Sequence, residues 1–441
     1  MWTGEQVVSR GAARRGPPDR GRAAWVRGVR KTFAASVVKP AILLVAALVL
    51  GLAGTGCGRQ AGSSQSTPAA TLSPAVPSAI DDASPVGLDA FIRAKMKVAH
   101  VPGLAACVVS GGEVVWAKGF GWADIGARRR VTADTGFMLA SISKTLIAAA
   151  VMQQVEAGNL SLGADVDTYL PFSVRNPRHP GDPITLQQLL THTSSIRDRA
   201  AVWNDVYTYG HDSPIPLDVF LKGYLVPGGL WWNRRDYSRS APARSYSYSN
   251  VGADLAAYVV ESTTGVPFDE YCATHIFAPL GMNATSYKLA GLDRGALVMP
   301  YRYLRGRGRY RAYGQYGYPD YPCGQARTSV SQLGRYLALY VNGGVYHGVR
   351  LLQPATVAEI LRPQIGRLYP GQGLIWYREK IGGLRVLGHQ GSDYGVCTFM
   401  FFDPRTGAGA VVLTNSDVST WKEWYAVEDV FVKLIAEAPQ L

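Results

Sequence analysis

Ser141 and Lys144 stand three residues apart in FMLASISKTLIAAAVMQQVEAG, Phe137 to Gly158, at the head of an apolar run with helical spacing. Residues at that separation share one face of a helix, and the helix N-terminus directs unpaired N–H groups at its first residues. A serine hydroxyl is a poor nucleophile until a base takes its proton, and a lysine can be that base when burial and neighbouring charge lower its pKa. The same pair also reads as a helix cap followed by a surface lysine. Spacing alone does not choose, because Ser419-Thr420-Trp421-Lys422 repeats the pattern at the start of the last amphipathic run, where it reads as a cap.

Further groups follow in the order such a site needs. Tyr248-Ser249-Asn250 stands just before a second helical run; a tyrosine beside an ammonium can share its proton, and the Asn250 amide can hold a substrate carbonyl and the lysine. Tyr340-Val341-Asn342 repeats that pattern before Gly343-Gly344, where it reads as a helix end. Gly388-His389-Gln390-Gly391-Ser392 lies on a strand that runs into a turn. There Gly391 lets a backbone approach bound substrate closely, the Ser392 N–H can join the Ser141 N–H as an oxyanion hole, and His389 is expected to donate over the cleft. The other histidines, His100, His179, His192, His211, His275 and His347, read as structural or exposed. No His/Cys/Asp set has metal-ligand spacing, so neither a metal nor an organic cofactor is implied.

The elements that must position these groups divide into strands at both ends and helices between. LAACVVSGGEVVWAKGFGWAD, Leu104 to Asp124, reads as a hairpin turning at Ser-Gly-Gly, and Leu384 to Ser416 as three strands with a turn at Asp403 to Gly407. Helical periodicity covers Ser141 to Glu156, Thr185 to Leu190, Val251 to Thr263, Val330 to Tyr340 and Trp421 to Ala436. The pattern predicts an α+β fold: an antiparallel sheet built from N- and C-terminal segments, flanked by helices, with a mostly helical inserted region.

In the order Ser-x-x-Lys, Tyr-x-Asn, His-x-Gly, these motifs resemble the serine β-lactamase-related superfamily in its class C branch, with its D-alanyl-D-alanine carboxypeptidases, D-aminopeptidases and esterases. ITLQQLLTHTSSI, Ile184 to Ile196, and YPDYPCGQARTSVSQLGRYL, Tyr318 to Leu337, extend the likeness, which runs roughly from Gly87 to Ala436. The resemblance implies a β-lactamase/transpeptidase-like fold. It makes Ser141 the nucleophile, Lys144 its partner base, Tyr248 the general acid/base and Asn250 the substrate-amide contact. His389 stands where class C β-lactamases carry the lysine of Lys-Thr-Gly, and so removes a charge that would grip a substrate carboxylate. A D-amino-acid peptide, an ester or a slowly turned-over β-lactam is the implied substrate, and an inactive penicillin- or peptidoglycan-binding surface protein is the rival. The insertion from Arg197 to Ser240 brings Trp203, Tyr207, Tyr209, Trp231 and Trp232, expected either at the rim of the site or in a helical core.

The chain of 441 residues carries a net charge of +13, but the first forty residues hold nine Lys or Arg against two acidic groups. That basic leader runs into AILLVAALVLGLAGTG, Ala41 to Gly56, and then Cys57. The pattern reads as a signal peptide ending in a lipobox-like LAGTGC, with Gly54 where leucine is usual, or as an uncleaved anchor. Residues 1–57 are thus expected to be leader or anchor, with Cys57 acylated, 58–85 a flexible linker, and 86–441 the hydrolase domain at the envelope, tethered to the membrane. The remaining cysteines, Cys107, Cys272, Cys323 and Cys397, can pair in an oxidising compartment, although apolar surroundings favour buried thiols at Cys107 and Cys397. YRYLRGRGRYRAYGQYGY, Tyr301 to Tyr318, interleaves arginine with tyrosine; its glycines make it a surface loop before a nucleic-acid surface.

Overall fold

The computed structural model describes residues 84–441; the leader, Cys57 and nearly all of the linker expected from the sequence lie outside the described residues. Seven strands form one antiparallel sheet: β1 (Gly103–Ser110), β2 (Glu113–Asp124), β3 (Arg129–Arg130), β4 (Tyr377–Ile381), β5 (Leu384–Asp393), β6 (Val396–Phe402) and β7 (Gly409–Thr414). Their spatial order is β4-β5-β6-β7-β1-β2-β3, so the last strand of the chain pairs with the first and the two terminal segments close one sheet. The β1–β2 hairpin turns at Gly111 and Gly112, both with positive φ, which only glycine adopts without strain.

Five longer helices matter for the site: α1 (Leu88–Ala99), α2 (Lys144–Glu156), α3 (Asn250–Thr264), α4 (Val330–Val341) and α5 (Trp421–Glu437). Strand alternation assigns them to opposite faces of the sheet. Phe399 and Phe401 of β6 meet Trp424 and Phe431 of α5, whereas Met400 and Phe402 turn to the main core shared with Leu333 and Leu337 of α4. Helix α2 is buried from Lys144 to Met152 without a break. A helix apolar all round belongs inside a protein, so the one charge it buries, Lys144, is placed there for a reason.

The inserted region holds more than helices. Tyr301 to Ala312, expected as a loop, is a hairpin pairing Tyr301–Leu304 with Arg309–Ala312. Its aromatic–arginine interleaving is strand alternation. Tyr303 stacks on His100 with centroids 3.8 Å apart, and Tyr301 Oη accepts the Ile125 N–H at 2.8 Å. The tyrosines therefore face the body and do not form a stacking platform. Among the insertion aromatics, Trp203 stacks on Tyr224 at 6.3 Å in the helical core. Tyr207 instead packs beside Tyr316, Tyr318 and Tyr394 and donates its hydroxyl to Asp393 Oδ1 at 3.2 Å.

Candidate active site

The Ser141 turn is held by its surroundings before the helix begins. Phe137–Met138 pairs with Arg327–Thr328, Thr398 Oγ1 of β6 donates to the Leu139 carbonyl at 2.8 Å, and Ser143 Oγ accepts the Ala326 N–H at 3.3 Å. Between these fixings Ala140 adopts φ of 48°, a left-handed conformation that costs a non-glycine residue about 1 kcal/mol or more. Ser141 follows in a 3-10 turn, Ala140–Ser143, continued by α2 from Lys144. Lys144 is wholly buried, and its Nζ donates to Ser141 Oγ at 3.0 Å and to the Cys323 carbonyl at 2.9 Å. Neither bond goes to Asn250, which the sequence had suggested as a partner for the lysine.

Tyr248 and Asn250 are placed by the start of α3. Ser249 caps the helix, its Oγ accepting the Gly252 N–H at 2.9 Å. Asp198, which no motif in the sequence marks, clamps the same turn: Oδ1 accepts the Ser249 hydroxyl at 2.8 Å, and Oδ2 accepts the Asn250 N–H at 2.8 Å. The clamp presents the Tyr248 ring to Lys144, whose Nζ lies 5.1 Å from its centroid. Tyr248 Oη is buried without a hydrogen bond of normal geometry, although it lies within electrostatic reach of Ser141 and Lys144. Burial pushes its pKa up, with the Lys144 charge pulling the other way. Burial also opposes the Lys144 ammonium, but Tyr248, Cys323 and Asp254 outweigh it and hold the lysine above its ordinary range. At neutral pH the resting pair is ammonium and phenol.

The structure corrects one expectation about His389. Its Nδ1 lies 2.7 Å from the Gln390 carbonyl oxygen, which can only accept, so Nδ1 carries the proton and Nε2 is left as a bare lone pair. Nε2 is buried and unpartnered, and with the proton on Nδ1 it is an acceptor, not a donor. Burial, reinforced by Lys144, lowers the His389 pKa to about 3, so the ring is neutral at working pH. His192 proves structural, its Nδ1 accepting the Ser249 N–H at 3.3 Å, but it also packs against Tyr248 with centroids 4.3 Å apart and leaves Nε2 unpartnered. Its pKa too is held well below normal by burial, then by Lys144 and His389.

Each of the two buried neutral histidines withdraws stability as the pH falls. A group whose folded pKa is depressed contributes stability above its unfolded pKa and loses it as pH falls toward the folded value. The window for His389 runs from 6.5 down to about 3, each pH unit costing about 1.4 kcal/mol. Urea unfolding at pH 7 and pH 5 should show His389→Gln losing about 2 kcal/mol less than the wild type on acidification; an equal loss would place His389 in a solvated environment.

Gly391 brings β5 against the nucleophile turn. A Cβ there would lie 2.5 Å from the Leu139 oxygen, 2.6 Å from Thr398 Oγ1 and 2.8 Å from Ser141 N. The close approach expected of this glycine is therefore to the backbone of the turn itself, and it brings Ser392 next along the strand to the same place. The four cysteines among the described residues are free and buried. The second Ser-x-x-Lys copy is a cap, as expected, with Thr420 and Glu423 forming a capping box.

With this geometry in hand, the comparisons with known proteins agree on one assignment. The family model described as Beta-lactamase matches residues 88–429. The putative penicillin-binding protein PbpX of Bacillus subtilis is 34% identical over 184 residues, 41% of this chain and 40% of that protein. Protein flp of Staphylococcus aureus is 22% identical over 333 residues, 74% of this chain and 62% of that protein. The chain thus spans less than two thirds of the length of these relatives. Among solved structures, the octameric penicillin-binding protein homologue from Pyrococcus abyssi aligns with TM-score 0.60 at 25% identity, covering 79% of this chain and 76% of that one. The D-amino acid amidase of Ochrobactrum anthropi SV3 aligns with TM-score 0.62 at 21% identity, over 80% of this chain and 98% of its own, and so shares the fold. From the buried Ser-x-x-Lys pair to the sheet that closes over it, the chain belongs to the beta-lactamase family of serine hydrolases.

Proposed function

We propose that the protein cleaves an amide or ester through an acyl-enzyme on Ser141, with Lys144 and Tyr248 moving the proton. The observation that carries this reading is the 3.0 Å bond from a wholly buried lysine to Ser141 Oγ. Burying an ammonium costs several kcal/mol, which packing alone would avoid with an apolar residue. Reaction begins when the Lys144–Tyr248 pair has lost one proton. Ser141 Oγ bonds to the carbonyl carbon and its proton passes to the pair. The carbonyl oxygen takes the negative charge between the Ser141 and Ser392 N–H groups. The pair then returns the proton to the leaving nitrogen or oxygen as its bond to carbon breaks. Water repeats the sequence on the acyl-enzyme.

Asn250 holds the substrate's amide in this scheme. The lone pair on His389 Nε2 favours a substrate N–H in its neighbourhood over a carboxylate, since it offers neither a proton nor a charge to an anion. D-Amino-acid amides and esters fit that demand. β-Lactams, whose carboxylate finds no cation at His389, are turned over slowly. Our reading places the enzyme at the cell envelope, tethered through Cys57, on the strength of the leader and linker sequence.

The full-length protein should be treated separately with a fluorescent penicillin and a fluorophosphonate, and the labelled peptide identified by mass spectrometry. Label on Ser141 is the expected result, lost in Ser141→Ala. A folded protein that takes neither label would sink the acyl-enzyme and leave a binding protein in its place.

A further inference from the structure

Within electrostatic reach of Lys144, two carboxyl groups are buried without the donors that an ionised pair requires. Asp254 lies one turn into α3 and is 0% exposed; Asp320, just before the 3-10 turn Tyr321–Cys323, is 4% exposed. Asp254 Oδ1 accepts the Cys323 N–H at 2.8 Å, but its Oδ2 has no partner, and neither has Asp320 Oδ1. Asp254, Asp320 and Cys323 each present a ligating atom within 4.8 Å of the others. The thiol donates to the Asp320 carbonyl oxygen at 3.1 Å and, more weakly, to Asp320 Oδ2 at 3.8 Å, and the Cys323 carbonyl is itself the second acceptor of Lys144. Residue 323 therefore bonds to the lysine through one backbone group and to Asp254 through the other.

Other charged groups face this cluster, and they are provided for. Asp198 has donors from Ser249, Asn250 and Val251, and Asp393 from Tyr207 and Tyr394. Arg327 is buried nearby but donates to the carbonyls of Tyr287, Gln325 and Tyr316. That leaves Lys144 as the cation, with the Tyr248 ring centroid 5.1 Å from its Nζ. Two buried carboxyls with oxygens within 4.8 Å of each other, each keeping one oxygen without a donor, do not both ionise readily. Burial pushes Asp254 well above the carboxylate range and Asp320 up to about 7, while Lys144 pulls both down.

We propose that Asp254 and Asp320 share one proton, and that the single negative charge they retain is the fixed counter-charge of Lys144, making both aspartates positioning residues for proton transfer at Ser141. The proposal rests on the reading that Lys144 serves Ser141. It predicts a particular non-additivity. Removing either carboxyl leaves the other free to ionise alone, so one negative charge persists. Removing both leaves the lysine without it, and the ammonium then loses its proton more readily.

The test uses the full-length protein and the second-order rate of Ser141 acylation by a fluorophosphonate as a function of pH, for the wild type, Asp254→Asn, Asp320→Asn and the double variant. Asparagine at 254 keeps an acceptor for the Cys323 N–H. Each single change should move the midpoint of the profile by about 0.3 unit or less, and the double change should lower it by about 1 unit or more. A protonated-carboxyl C=O band should appear in the infrared spectrum of the wild type at neutral pH and vanish in each single variant, with or without turnover. Additive single shifts, an unmoved double variant, a band that survives in both singles, or a stoichiometric divalent metal in the purified protein would each overturn the shared proton. Failure of the wild type itself to acylate would instead remove the Ser141 reading, while the infrared band still reports on the pair.

Discussion

Replacing Lys144 with methionine should lower the rate of Ser141 acylation by about 10²- to 10⁴-fold, the range that a positioned acid–base group contributes. Methionine fills similar space in the buried start of α2, so the change tests chemistry more than packing. Asp254 and Asp320 then lose their counter-charge and take up a second proton, which keeps the fold at the expense of pH sensitivity. Lys144→Arg separates the two roles of the lysine. Arginine keeps a permanent charge beside the aspartates but cannot give up its proton in the working range. Loss in both variants, with thermal melting followed on the same samples, shows that the proton matters and not the charge alone. An arginine variant that retains more than about a tenth of the wild-type rate would reduce Lys144 to an electrostatic support and hand the base role to Tyr248.

How far the sequence foretold this site depends on what each residue has to do. Ser141, Lys144, Tyr248, Asn250 and His389 were legible because the proposed chemistry requires particular side chains in a particular order, and the fold brings the first three together. The apolar run of α2 and the strand pattern after Leu384 were legible because burial imposes periodicity. The arginine–tyrosine hairpin was hidden because its glycines mask a two-residue alternation only five arginines and three tyrosines long. Strand β4, with the burial pattern of an edge, gave too short a signal, and α1 buries only Leu88, Ile92, Met96 and Ala99 among charged neighbours. Asp198, 52 residues before the helix turn it clamps, has no local signature at all. Neither has the tautomer of His389, which is set by a carbonyl one residue away. Asp254 on α3 and Asp320 before a distant turn bring oxygens within 4.8 Å, and only the tertiary fold can reveal that each keeps one oxygen without a donor.

Gly391→Ala is expected to be nearly as damaging as loss of the lysine, and for a reason of space. The added methyl would meet the Leu139 oxygen at 2.5 Å and Ser141 N at 2.8 Å. Both are backbone atoms of a turn already held by Thr398 and strained at Ala140, so neither can swing aside as a side chain would. Strand β5 must retreat instead, carrying Ser392 away from Ser141. A displacement of about 1 Å between two oxyanion donors costs about 10²-fold or more in rate, and the overpacking about 1–3 kcal/mol in stability. Gly388→Ala, three residues earlier on the same strand, is the matched control. A Cβ there meets the Met400 oxygen at 2.0 Å and Phe401, and neither contact belongs to the nucleophile turn. If the two variants lose stability alike while only Gly391→Ala loses acylation, the glycine sets the spacing of the oxyanion donors. Equal losses of activity in both would show that the sheet as a whole, and not this one approach, governs the site.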